Sequence, residues 1–245
     1  MSKYRFGKHP PQKDYRTLLL RNYASALPAP ADQYNVLDAV YQNLGTKDPT
    51  VLFPMDGNDK YGDCTIAAAG HALTVYNGLI KKKNIPAQTV LLKTYFQLTG
   101  GPDTGLDELK VLNYWQSTGI GADKILAFVS IDPKNHTHVK QAIQYFGGVY
   151  LGFQVQQGAD DLFDQRKPWT PAPLTNDGHA VYAVAYDADQ LTVLTWGNTQ
   201  LATWSWWDEC VDEAYAILPP EAKQPGYIQG LDFAKLQADL EAVAK

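Results

Sequence analysis

The 245-residue chain has little cysteine, no basic block of note and no long apolar run. Two cysteines, Cys64 and Cys210, exclude a disulfide-dense secreted scaffold; the single bridge they allow stays open at this stage. Net charge is -5, and the one basic run, Lys81-Lys82-Lys83, reads as a solvated helix end. A nucleic-acid partner is therefore not expected. No stretch approaches the ~20 apolar residues of a membrane helix, and the opening Met-Ser-Lys-Tyr-Arg-Phe holds no apolar core of a signal peptide. Paired Cys-x-x-Cys or His-x-x-x-His spacings are missing, and Gly119-Ile-Gly121 lacks both the third glycine and the strand that a phosphate loop needs. Neither a metal nor an organic cofactor is expected.

Hydrophobic residues make up 45% of the chain, enough for one large domain or two lobes around a cleft. Residues 1–50 read as an extended arm punctuated by Pro10, Pro11, Pro28, Pro30 and Pro49. Its apolar patches Leu18–Leu20 and Val36–Leu44 are expected to pack across the body, the second as a short helix. Residues 57–63 form a polar loop, and a helix is predicted from Cys64, with Asp63 as its N-cap. The small side chains of Ala67, Ala68, Ala69 and Gly70 mark that helix as central and buried. Further helices are predicted over Thr89–Leu98, over the spacing of Leu106, Leu109, Val111, Leu112 and Trp115, over 135–146, and from Asp232 to Ala244.

Strands dominate the second half. Val149–Val155, His179–Tyr186 and Leu191–Trp196 alternate, and Asp187–Gln190 turns the last two into a hairpin. Ala202–Trp207 and Glu213–Leu218 add sheet or a short connecting helix. Trp204, Trp206 and Trp207 are expected to fill core. Helices followed by antiparallel strands imply an α+β fold of two lobes: mainly helical over 51–130, mainly β over 131–220, with a C-terminal helix over 221–245.

Chemistry centres on a thiol. A helix N-terminus lowers a cysteine pKa because its free N–H groups stabilise the thiolate, and Cys64 holds such a position. Asp63 opposes this, so its carboxylate is expected to turn toward backbone amides. An imidazole would complete the activation. His71 lies seven residues along the same helix, about 10 Å of rise, too far for a hydrogen bond. His9 sits in the arm, and His136 and His138 in a polar, solvated helix start. His179 opens a strand directly after Asn176-Asp177-Gly178 and can face a cleft. Cys210, among Asp208, Glu209 and Asp212, reads as structural.

With these residues in place, the chain resembles the papain-like cysteine peptidase superfamily over about residues 50–200. The family's nucleophile begins the central helix, as Cys64 does. An amide six residues earlier, usually Gln, helps form its oxyanion hole; here that residue is Asn58. A double glycine precedes a helix with apolar spacing, as Gly100-Gly101 precede Leu109, Leu112 and Trp115. The catalytic histidine opens His-Ala-Val-x-x-Val-x-Tyr, which His179–Tyr186 match, and Trp196-Gly197 match the Trp-Gly pair that ends the next strand. The orienting Asn of the family falls at Leu194, which cannot accept the imidazole N–H; Thr195 and Asn198 are the candidates for that role.

The resemblance implies a papain-like fold, a central helix packed on an antiparallel sheet lobe, and a thiol hydrolase cleaving peptide bonds, or transferring the acyl group to an amine. Cys64 and His179 are the expected pair. The loss at Leu194 keeps open a catalytically degenerate member used for binding or structure, such as a phage virion component, with the arm as an assembly contact. The location expected on either reading is cytoplasmic or virion-associated.

Overall fold

In the computed structural model, residues 3–224 and 226–243 are described; the expected end of the last helix at Ala244 lies outside them. Helices α1 (Leu37–Leu44), α2 (Pro49–Leu52), α3 (Cys64–Leu79), α4 (Gln88–Thr99) and α5 (Glu108–Ser117) precede most of the sheet. Helices α6 (His136–Phe146), α7 (Ala159–Asp164), α8 (Trp204–Cys210) and α9 (Phe233–Val243) lie among and after the strands. The strands are β1 (Tyr34–Asn35), β2 (Ala127–Ser130), β3 (Val149–Gln156), β4 (Leu174–Tyr186), β5 (Gln190–Thr195), β6 (Asn198–Thr203) and β7 (Val211–Leu218). They form one antiparallel sheet in the order β2-β7-β3-β4-β5-β6, with β1 paired to the end of β4. The molecule is α+β, as its residue order implies.

Helix α3 is the centre. Every residue from Cys64 to Gly78 is buried, so the helix is apolar on all sides rather than on one stripe. Small residues make this feasible: a Cβ at Gly70 would sit 2.6 Å from Leu91 of α4, and one at Gly78 2.8 Å from Val40 of α1. Side chains cap the neighbouring helices. Asp107 accepts from Lys110 N, Asn135 from His138 N, and Thr203 from Trp206 N. Helix α3 has no such cap, since Asp63 makes no capping bond, and α1 and α4 have none either.

Two sequence expectations change here. Strand β4 begins at Leu174, so His179 lies within the strand instead of opening it. The ladder with β3 runs past a bulge, pairing Gly178 with Gln154 and Leu174 with Gln156, and absorbs the Asn176-Asp177-Gly178 segment. Strand β5 stops at Thr195, because Trp196 (φ 46°) and Gly197 (φ 74°) form the two-residue turn to β6. Two successive positive φ angles define the primed hairpin turn that suits twisted strands. Glycine adopts this region freely, whereas tryptophan there costs roughly 1 kcal/mol or more.

Trp206 and Trp207 are fully buried, as expected of core residues. Trp204 is half-buried and packs on the His136 ring at 4.5 Å. Strands β1 and β2 have no clear signal in the sequence, being two and four residues long.

Candidate active site

Cys64 stands on the first turn of α3, where the sheet lobe meets the helices. It is 1% exposed, and both cysteines are free. Burial pushes the Cys64 thiol up to about 12, while the backbone amides of Ala180 and Gly7 act in the opposite sense by hydrogen bonding to the sulfur. The lowering expected from the helix terminus is thus overridden in this state. Water removal destabilises a thiolate more than two amides and a partial dipole restore. The Ala180 amide that acts on the thiol belongs to the residue that follows His179.

His179 is buried at 1% exposure. Its Nε2 lies 2.8 Å from Thr195 Oγ1, across the β4–β5 hairpin. Its Nδ1 is buried with no hydrogen-bond partner, Cys64 included. The Trp196 ring stacks on the imidazole at 4.8 Å and 28°, and Phe153 and Phe6 meet it edge-on. This apolar wrapping pushes the His179 pKa down to about 3, with His71 acting in the same direction. Asn198, the other candidate orienter, turns its Oδ1 to its neighbour Thr199 N at 2.9 Å. Of the two, Thr195 is the residue that meets the ring.

Asn58 is buried in the loop before α3. Its Nδ2 lies 3.1 Å from the Arg5 carbonyl, 3.1 Å from the Tyr61 carbonyl and 3.3 Å from Asp63 Oδ1. Asp63 therefore turns to a side-chain amide and not to the helix amides expected of it. Burial raises its carboxyl to about 8.

The arm was the part of the site least visible in the sequence. Residues 4–9 run through the groove beside Cys64 and His179 as an extended strap. Arg5 N donates to Asn58 O at 2.9 Å, Lys8 N to Gly178 O at 3.1 Å, His9 N to Leu106 O at 3.0 Å, and Leu106 N to Gly7 O at 2.9 Å. Tyr4 stacks on Trp196 at 4.2 Å and 11°. The walls are glycine where the strap passes. A Cβ at Gly105 would fall 2.2 Å from Gly7 O, and one at Gly178 2.4 Å from Lys8 O. Only the bare peptide backbone lets the chain approach so closely. Pro10 and Pro11 mark the end of this segment, but no sequence periodicity reveals that it fills a groove.

The remaining candidates have other partners. His71 is buried two turns along α3, with Nε2 2.9 Å from the Pro54 carbonyl and 3.6 Å from Asp56 Oδ2. His9 meets the Thr104 carbonyl at 2.6 Å, and His136 pairs with Asp208 at 2.7 Å rather than standing solvated. Burial, with Glu209 in support, raises the Cys210 thiol to about 12, in keeping with a structural role.

No protein-family model matches the sequence, and no curated protein does. Solved structures do. Xylellain, a cysteine protease from Xylella fastidiosa, superposes with a TM-score of 0.66 at 16% identity, over 89% of this chain and 97% of that one. The proCathepsin B of Trypanosoma congolense gives 0.57 at 13%, over 89% and 87%. A Carica candamarcensis cysteine protease in complex with E-64 gives 0.53 at 13%, over 77% and 99%. At such identities the likeness is one of architecture, and the chain has the fold of the papain-like cysteine proteases.

Proposed function

We propose that this protein is a thiol hydrolase of peptide bonds, held closed by its own N-terminal strap. The observation that carries this reading is the Cys64 sulfur set against the Ala180 amide, next to an imidazole whose Nε2 is tied to Thr195 while Nδ1 is left unpartnered. An idle ring nitrogen buried beside a helix-start thiol is costly for structure alone, and it is the atom that would take the thiol proton.

The sulfur attacks a peptide carbonyl as its proton passes to His179. The oxygen gains negative charge facing the Cys64 N–H and the Asn58 amide. The amine leaves with the proton from His179, and a water deprotonated by His179 then cleaves the thioester. Thr195 positions the ring through Nε2. In the closed state the Asn58 amide already grips a carbonyl, that of Arg5.

Full burial of the sulfur favours a second reading, a non-catalytic papain-like component of an assembly. The Gly7→Val chain separates the two. A Cβ at residue 7 would meet Gly62 O at 1.9 Å, so valine must lift the strap. Hydrolysis of a casein or peptide-library substrate, together with iodoacetamide labelling of Cys64 that slows on His179→Ala, is expected in Gly7→Val. An opened chain that labels at the rate of free cysteine, independent of His179, with no peptide cleavage, sinks the enzyme reading.

A further inference from the structure

Asp63 stands where a carboxylate ordinarily caps a helix, and it caps nothing. Aspartate is among the preferred N-cap residues, yet the Asp63 side chain makes no capping bond to α3. The residue is fully buried instead, with Oδ1 3.3 Å from Asn58 Nδ2 and Oδ2 without a hydrogen-bond partner. Burying a carboxyl with one oxygen unpartnered works against folding, so the stability of the helix start does not explain this orientation. The loop keeps room for it: Gly57 has φ 102°, and a Cβ there would sit 3.2 Å from Asp63 Oδ2.

The Asn58 amide has two hydrogens and three acceptors around it, the carbonyls of Arg5 and Tyr61 at 3.1 Å and Asp63 Oδ1. Arg5 belongs to the strap. Once the strap is out, Tyr61 and Asp63 share one hydrogen while the other faces the groove. Tyr61 lies in the loop that carries Asn58, closed on itself by bonds from Lys60 N and Tyr61 N to Gly57 O at 2.8 and 2.9 Å. It moves with the amide. Asp63 does not: its carbonyl accepts from Ile66 N at 2.8 Å and Ala67 N at 3.0 Å, which fixes its main chain in the first turn of α3 beside Cys64. Of these two acceptors, only Asp63 ties the amide to the element that carries the sulfur. The tie matters because asparagine is one methylene shorter than glutamine and reaches the site only if its loop stands close to α3.

We propose that Asp63 is a positioning residue, whose carboxyl holds the Asn58 amide in register with the start of α3 so that this amide and the Cys64 N–H face one developing oxyanion. The role rests on the groove being the peptide-cleaving site, and it acts on the acyl-transfer transition state rather than on the thiol. Neither Asp63 oxygen needs to touch the substrate. Any acceptor of the same reach serves, so the acid can be replaced by its amide.

The opened Gly7→Val chain tests it. Asp63→Ala should lower kcat for peptide hydrolysis about tenfold or more while KM stays within about twofold, since the aim of the amide is lost in the transition state and not in substrate binding. Asp63→Asn should restore most of the rate. In an Asn58→Ala chain, adding Asp63→Ala should cost less than about twofold more, because the group it aims is already gone. Iodoacetamide alkylation of Cys64 should not slow in any of these chains, as it builds no oxyanion. A merely structural loss at the start of α3 would slow both reactions and add to the effect of Asn58→Ala. Additive losses, or hydrolysis that survives Asp63→Ala unchanged in a chain that does cleave peptides, overturn the role and leave the catalytic reading standing. An opened chain that cleaves no peptide overturns both. If Asp63→Ala fails to fold, Asp63→Leu keeps the shape without an acceptor and is read in its place. Failure of both to fold where Asp63→Asn folds assigns the contact to stability and removes the role.

Discussion

His179 Nε2 and Thr195 Oγ1 lie 2.8 Å apart across a hairpin whose turn is built on a tryptophan in the left-handed region. The hydroxyl can accept a hydrogen bond from Nε2–H, which fixes the neutral tautomer and leaves Nδ1 buried without a partner. The Trp196 ring then covers the pair from water. An asparagine is not needed for this arrangement, only an oxygen at that register position.

Thr195→Val removes the acceptor at nearly constant volume. In the opened Gly7→Val chain, peptide hydrolysis should fall by one to two orders of magnitude, while Thr195→Ser should keep most of it. Stability should drop by about 1–3 kcal/mol in Thr195→Val, the cost of a buried unpaired imidazole nitrogen. Equal activity of the valine and serine variants would remove Thr195 from the orienting role.

Asn58 makes a sharper test, since it can be read on two reactions. Asn58→Ala in the opened chain should lower peptide hydrolysis by about 10²–10³, the usual loss for an oxyanion donor. Iodoacetamide alkylation builds no oxyanion, and its rate should stay within about threefold, there being no such charge to stabilise. Parallel loss in both reactions would mean that the Arg5 and Tyr61 contacts of Asn58 matter only for holding the loop.

Tyr4 anchors the far end of the strap. It is 6% exposed, stacks on Trp196, and donates to Asp164 Oδ1 at 2.7 Å. Tyr4→Ala loses ring area and that bond, about 2–4 kcal/mol by analogy with buried aromatic truncation. Because the ring ties the strap to the core, the melting temperature should fall while Cys64 labelling by iodoacetamide accelerates. Faster labelling without loss of stability, or the reverse, would separate the strap from the cover over the thiol.

Much of this was legible in the sequence for a simple reason: helices and strands follow local periodicity. Helices α4, α5 and α6 fall within a residue or two of their apolar spacing. Cys64 and His179 were singled out by a helix start and by the family resemblance, and whether they act as a pair is part of the proposal. The strap was not legible. Its contacts are backbone to backbone across distant glycines, and nothing in the sequence brings Lys8 to Asp212 and Glu213 of β7. The state of Cys64 was hidden for the same reason, because desolvation depends on what covers the sulfur and not on its neighbours in sequence. Thr195 and Asn198 face each other in the β5–β6 register, so what separates them is the Thr195 contact to His179 and the bond of Asn198 to its own neighbour.

The buried carboxyls give a pH dependence whose sign follows from linkage. Burial raises Asp63 from 3.8 to about 8 and Asp56 from 3.8 to about 7. Each holds a proton in the folded chain that the unfolded chain has lost, so the stability this allows is full below about pH 4 and declines as pH rises through the folded values. His71 and His179, pushed down from 6.5 to about 4 and about 3, work the other way, since the unfolded imidazoles take up protons below about pH 6.5 while the buried ones stay neutral. Between about pH 4 and 6.5 the two pairs oppose each other. Above pH 6.5 the histidines no longer contribute and the carboxyls alone remain, so the urea midpoint should fall from pH 6.5 to pH 8. Asp63→Asn keeps an acceptor for Asn58 without a titrating proton, and should flatten that fall by on the order of 1–2 kcal/mol at pH 8. A midpoint that rises toward pH 8 in the parent chain, or an equal fall in Asp63→Asn, would mean that Asp63 is ionised beneath the strap and that the loop before α3 carries a charge next to the thiol.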